Sequence, residues 1–284
     1  MTTYAVTAAT GQLGTLVIDQ LLAKNVEPAS ITAVVRDADR AAPFAVRGVV
    51  VRTADYDDRE ALEAAFDGVD RLLFISGSEV GKRVPQHRNV IEAAKAAGVG
   101  RVYYTSVLRA TDNPMVLAPE HKATEEMLAE SGVTHTILRH GWYTENYTTE
   151  VPRYIARGVL LHAGGDGRIA AATRADFAEA DGQALLTDYE GNVTLEMGGE
   201  PFTYADLART ISEVSGAAVE PRTVTPQEFR QILLQSGMDE NTASFLVRLE
   251  SDVAAGLLDG DSTNLTDLLA RPVTSLSIAV RAAL

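Results

Sequence analysis

The stretch Thr7-Ala8-Ala9-Thr10-Gly11-Gln12-Leu13-Gly14 decides how the remaining residues are read. Residues 3–9 (TYAVTAA) are small, β-branched or aromatic, as in a strand buried inside a parallel sheet. Leu13, Leu16, Val17, Leu21 and Leu22 then recur at helical spacing. A strand passing through a short glycine-containing turn into a helix makes a place for an anion, because the first helical amides have no intrahelical partner and the helix dipole is positive there. Gly11 would let a pyrophosphate approach the backbone, and Gly14 would let the helix pack close to the strand. The turn alone also fits a plain tight βα connection, so the surrounding residues have to decide.

They repeat the same unit. A second strand is expected over 31–35, and Arg36 at its end lies 22 residues beyond Gly14. An arginine there suits the 2′-phosphate of NADP, whereas an acid, for which Asp37 is the candidate, would suit the ribose of NAD; a solvated strand-end arginine is the plain alternative. A third strand over 48–53 leads to Asp55, placed either to contact adenine or simply to turn the chain, and Asp57 with Glu60 reads as the cap of a short helix. The fourth strand, 71–75, breaks into Ser76-Gly77-Ser78-Glu79, small residues that leave room for a ligand at the sheet edge. A helix over 84–97 stopped by Gly98, a strand over 101–107, a helix opening at Pro119 and a strand over 134–139 complete an α/β pattern of the Rossmann-like, doubly wound parallel kind. After it comes His140-Gly141-Trp142-Tyr143-Thr144-Glu145-Asn146-Tyr147, where the only tryptophan sits beside glycine and two tyrosines, as in a pocket wall.

Beyond residue 150 the pattern loosens. Residues 162–168 (HAGGDGR) read as a flexible turn, and capping boxes are expected at 173–176, 203–206 and 225–228. Helices near 204–215, 226–236, 240–258 and 274–283, with short strands near 193–197 and 219–224, describe a smaller, mostly helical lobe. The expected division is a dinucleotide-binding domain over 1–150, with parts of 170–200 returning to it, and a substrate lobe over 151–284.

Composition narrows the partners. The chain has 284 residues, 46% hydrophobic and 23% charged, with a net charge of −14 and no cysteine. Such a charge without a Lys/Arg cluster argues against nucleic acid and against a membrane surface. The five histidines, at 87, 121, 135, 140 and 162, lack metal-site spacing, so no metal is expected. Met1-Thr2-Thr3-Tyr4 has no basic leader character and no apolar run approaches ~18 residues, so the expected location is the cytoplasm.

One motif is missing. Ordinary short-chain dehydrogenases pair a tyrosine with a lysine four residues later, the lysine making the phenol a better acid. None of the nine tyrosines here has such a partner, and the lysines are only Lys24, Lys82, Lys95 and Lys122. The chain therefore either serves an easier substrate or binds a nucleotide without chemistry.

At this point the blocks ATGQLG, VRTADYDD, SGSEVGKRVPQHRNVIEAAKAAGV, LRHGWYTENY and GDGRIAAATRADFAEA make the chain resemble the NmrA-like atypical short-chain dehydrogenases, and among them the bacterial NADPH:quinone oxidoreductases. The resemblance spans nearly the whole chain. It implies a Rossmann domain with a smaller substrate lobe, and NADPH contacts from Ala8, Ala9, Thr10, Gly11, Gln12, Leu13, Arg36, Asp55, Ser76, Gly77, Ser78, His140, Gly141, Trp142, Tyr143, Thr144 and Glu145. It also implies a quinone near Gly141, Trp142 and Tyr143. Two residues depart from the family: Ala8 stands in place of a glycine, which is expected to weaken the pyrophosphate turn, and His140 in place of an asparagine. His121 aligns with a catalytic lysine of isoflavone-reductase relatives. The implied activity is hydride transfer from NADPH to a quinone, with His121, His140 or water delivering the proton; either histidine can equally be structural. The sequence leaves a homo-oligomer open. The alternative is an NADP(H)-binding sensor without turnover, against which the aromatic pair Trp142 and Tyr143 argues.

Overall fold

The computed structural model describes all 284 residues. Twelve strands run in chain order: β1 (Tyr4–Val6), β2 (Ile31–Val35), β3 (Val50–Thr53), β4 (Arg71–Phe74), β5 (Arg101–Val107), β6 (His135–His140), β7 (Trp142–Tyr143), β8 (Val159–His162), β9 (Ile169–Ala172), β10 (Val193–Met197), β11 (Glu200–Phe202) and β12 (Glu220–Thr223). Seven form one sheet in the order β10-β6-β5-β4-β1-β2-β3. The pairs from β3 through β6 are all parallel. The order reverses between β1 and β4, the topological switch point beyond which open α/β sheets bind ligands.

Two compact units make up the chain: residues 1–111, 119–140 and 174–196, and residues 112–118, 141–173 and 197–284. Against the break expected near 150, the change of unit after β6 comes at Gly141. The stretch 174–196 belongs to the first unit because arginines at the starts of β4 and β5 hold it. Arg71 donates to the Leu185 carbonyl at 2.6 Å and pairs with Asp188, and Arg101 donates to the carbonyls of Tyr189 and Gly191 at 2.6 and 2.8 Å. The strand expected in the small lobe at 193–197 is thus an edge strand of the large sheet.

The core of the first unit follows from the apolar strand centres. Leu62, Phe66, Leu72, Phe74, Val90, Ile91, Tyr104 and Leu128 belong to one buried cluster where the helices Arg59–Phe66 and Arg83–Ala96 pack. Helix Gln12–Ala23 packs against helix Arg174–Leu186. The short helix Arg59–Phe66 is capped by Asp58, which accepts from the Ala61 amide at 3.0 Å, and not by Asp57, whose own amide is turned back onto Asp55.

The second unit has more strand than expected: β7, β9 and β11 form one small sheet and β8 with β12 another. These strands are two to four residues long, too short to show a period-2 pattern. Helices Tyr204–Ser215 and Pro226–Gln235 do open on reciprocal capping boxes at Thr203/Asp206 and Thr225/Glu228. Helix Glu240–Ala254 is shorter than expected. The supposed flexible turn after His162 is tied down, since the half-buried carboxylate of Glu250 accepts the Ala163 amide at 2.7 Å and receives the Tyr204 hydroxyl.

Candidate functional site

A cavity of about 290 Å³ lies where the ends of β1, β2, β3 and β4 converge in the first unit. Its floor is the turn after β1. The strand expected over 3–9 stops at Val6 because Ala8 takes φ +48°, a left-handed conformation that no extended strand accommodates. The glycine common at this position is therefore explained by backbone conformation: an L-residue there costs roughly 1–2 kcal/mol. Helix Gln12–Ala23 then starts with Gly11 at its N-cap, with no side-chain cap and no acid in its first turn, which leaves its positive end for a ligand. Gly14 is required by packing, because a Cβ on it would stand 2.5 Å from the Ala8 carbonyl oxygen and 2.8 Å from the Ala9 Cα.

The walls carry the polar chemistry. Arg36 and Asp37 follow β2, and Arg36 is exposed with Glu79 3.7 Å from its guanidinium. Arg40, which the sequence reading missed, also lines the cavity and reaches the Thr10 carbonyl at 3.4 Å. Its signal was a second arginine four residues after Arg36, brought back by the 3-10 turn Asp39–Ala41. Asp55 lines the cavity and also serves the turn, accepting the Asp57 amide at 2.9 Å. Tyr56, likewise missed, places its hydroxyl 2.6 Å from Thr7 Oγ1 and 2.7 Å from the Ile75 carbonyl, joining the ends of β1 and β4. Burial pushes the Tyr56 phenol well above its ordinary pKa, so it is a neutral strut. Ser76, Gly77 and Ser78 form the wall after β4, where Gln86 is a further residue the sequence reading did not single out.

Of the residues expected at the cofactor, Ala8, Thr10, Gly11, Gln12, Leu13, Arg36, Asp55, Ser76, Gly77 and Ser78 line this one cavity. Ala9 does not; it is fully buried in the core. His140 does not line it either. It is 3% exposed at the end of β6, its Nε2 lies 2.8 Å from Asp181 Oδ1, and its ring stacks on Phe177 at 4.4 Å. That geometry makes it a fastener between β6 and helix Arg174–Leu186. His121 is also buried, with Nδ1 2.7 Å from the Tyr104 hydroxyl, and burial lowers its pKa well below the ordinary histidine value. Neither histidine is exposed.

Gly141, Trp142, Tyr143, Thr144 and Glu145 belong to the second unit. The Gly141 amide donates to the Met197 carbonyl at 2.8 Å, and Trp142 and Tyr143 pair with Ala171 and Ala172 of β9. A Cβ on Gly141 would overlap the Ala170 carbonyl oxygen, so its lack of a side chain serves backbone packing. Both aromatic side chains are half-buried. No group of metal-ligating side chains occurs in the structure, and no helix is long and apolar enough to cross a membrane.

A strand order of 3-2-1-4-5-6, a cavity at the reversal and an uncapped helix start beneath it define a dinucleotide-binding α/β protein. Residues 8–185 match the NAD(P)H-binding family model, and the chain belongs to that family. It is 45% identical to quinone oxidoreductase 2 of Escherichia coli, over 97% of this chain and 96% of that protein. It is 32% identical to an NmrA-like family domain-containing oxidoreductase of Aspergillus flavus, over 98% and 94% of the two chains. Among solved structures, the NADPH complex of the Escherichia coli quinone oxidoreductase superposes with a TM-score of 0.95 at 42% identity, covering 98% of this chain and 99% of that one.

Proposed function

We propose that this chain is an NADPH-dependent quinone reductase that transfers hydride to a quinone without a Tyr/Lys pair. The observation that carries the reading is the switch-point cavity, with an uncapped helix start on its floor and Arg36 and Arg40 on its wall, in a chain so similar to a quinone oxidoreductase. These residues fit the cofactor. The amides at the start of helix Gln12–Ala23 hold the pyrophosphate, Arg36 and Arg40 take the 2′-phosphate in charge-assisted contacts, and Asp55 meets the adenine end. For the quinone, Trp142 and Tyr143 supply aromatic surface.

When bound, NADPH supplies the hydride. A quinone accepts one readily because its product is aromatic, so the protein's work is to orient the rings, and positioning alone can supply a large part of the acceleration. Burial, reinforced by the Arg83 charge, leaves the His121 imidazole neutral and a weak acid. The proton of the hydroquinone therefore comes from water, and the cytoplasm, where NADPH is held reduced, is the setting for the reaction.

The test is loss of NADPH absorbance with and without 1,4-benzoquinone, run in parallel with NADH. Quinone-dependent oxidation, faster with NADPH, is expected. Tight NADPH binding with no oxidation by several quinones would replace this reading with that of a nucleotide sensor.

A further inference from the structure

The Ser76-Gly77-Ser78 wall of the cavity is gripped from behind. The Ser76 amide donates to Thr105 Oγ1 at 2.9 Å, the Gly77 amide donates to His87 Nε2 at 2.9 Å, and the Gly77 carbonyl accepts from Arg83 Nε at 2.5 Å. Thr105, His87 and Arg83 are all buried, His87 completely, and none of them lines the cavity. A trans peptide points its N–H and C=O in opposite directions, and the chain has no cis peptide. With the Gly77 amide turned to His87, the Ser76 carbonyl faces the other way. With the Gly77 carbonyl turned to Arg83, so does the Ser78 amide. One acceptor and one donor are thus left on the open side of the loop, a match for a ligand group that both donates and accepts, such as a ribose hydroxyl.

His87 is itself oriented. Its Nδ1 lies 2.8 Å from Thr124 Oγ1, and the Thr124 hydroxyl donates to the Glu120 carbonyl at 2.8 Å. Because Thr124 gives its proton to Glu120, Nδ1–H must be the donor to Thr124, and Nε2 is left as a bare acceptor for Gly77. Phe74 and Tyr104 hold the ring edge-on, at 4.8 and 5.7 Å between centroids. Burial, reinforced by the Arg83 charge, lowers the His87 pKa to about 3, so the acceptor persists at neutral pH.

We propose that His87 is a positioning residue of the dinucleotide site, acting through the Gly77 peptide to aim the Ser76 carbonyl and Ser78 amide at the cofactor. This rests on the NADPH reading above. The test is NADPH affinity by calorimetric titration without quinone, together with KM values and thermal unfolding. His87→Phe removes the acceptor and keeps a ring, and should weaken NADPH roughly 10-fold while leaving the quinone KM unchanged. His87→Gln, whose Oε1 can accept the same amide, should recover affinity to within about 3-fold of wild type, and Thr124→Val should weaken it about 3-fold. Wild-type affinity in a folded His87→Phe protein, or equal losses in His87→Phe and His87→Gln, would overturn the proposal. If His87→Phe yields no folded protein, Thr124→Val decides: unchanged affinity overturns it and the 3-fold loss at an unchanged melting temperature supports it. A wild type that binds no NADPH overturns the functional reading as well, whereas a wild type that binds it beside an unaffected His87→Phe overturns this proposal alone.

Discussion

Two strands of the same sheet, β1 and β6, run into turns marked by glycine, and the two turns are built to opposite ends. After β1 the backbone is left open: the helix beginning at Gln12 has no side-chain cap, and a cavity lies over it. After β6 the backbone is already spoken for. The Gly141 amide is bonded to Met197, Trp142 and Tyr143 are paired with β9, the Thr144 amide donates to the Ala172 carbonyl at 3.0 Å, and His140 is held by Asp181. An open backbone can offer its own amides to an anion. A paired backbone can offer a ligand only side chains, which at the second turn are the half-buried Trp142 and Tyr143.

The largest effect that separates the two turns is expected for Gly141→Val. Its Cβ would overlap the Ala170 carbonyl and break backbone packing, at a cost above about 3 kcal/mol. Thermal unfolding should show a drop on the order of 10 °C. A stable Gly141→Val protein that lost only quinone turnover would mean that Gly141 leaves room for substrate instead.

Acid should act on the cavity through the wall after β4 that His87 supports. The folded His87 pKa of about 3 lies below its ordinary 6.5, so between those values the unfolded chain binds a proton that the folded one refuses. Stability from this group therefore rises with pH across the window and falls as pH drops through it. Between pH 7.5 and 5 the loss should be about 2 kcal/mol. Denaturant unfolding of wild type and His87→Gln at both pH values measures it; identical slopes would mean that His87 is protonated without cost.

Arg36→Ala should weaken NADPH about 10-fold and leave NADH nearly unchanged, since one charge-assisted contact is removed. Equal losses for both cofactors would remove Arg36 from 2′-phosphate recognition. The smallest effect belongs to Ala8→Gly. Relieving the left-handed conformation should stabilise the protein by up to about 1 kcal/mol, offset in part by the unfolded-state freedom of glycine, and tighten NADPH by no more than a few-fold. Destabilisation would show that the methyl group at position 8 has acquired packing of its own.

The same contrast explains what could be read from the sequence. The parallel sheet was legible because strands such as 31–35 and 101–107 are rich in β-branched or aromatic residues, and Gly11, Gly14 and Arg36, read together with the repeated βα units, mark residues that line the cavity. Arg40 was missed because its approach depends on a short 3-10 turn. His87 and Tyr56 were missed because their meaning lies in partners distant in sequence, Gly77 and Thr124 for one and Thr7 and Ile75 for the other. His121 and His140 drew notice as chemical residues, and only the structure reveals that Tyr104 and Asp181 occupy them. The cap of the Arg59–Phe66 helix was displaced by one residue, since adjacent aspartates at 57 and 58 read alike in a sequence.

The most direct test of the central claim is a single turnover without oxygen. The protein is mixed with an equivalent of NADPH, then with 1,4-benzoquinone, and both cofactor absorbance and hydroquinone are followed. Hydride transfer to the quinone requires NADPH to disappear in step with the appearance of one equivalent of hydroquinone, at a rate well above that without protein. NADPH that stays bound and reduced while benzoquinone persists would contradict it.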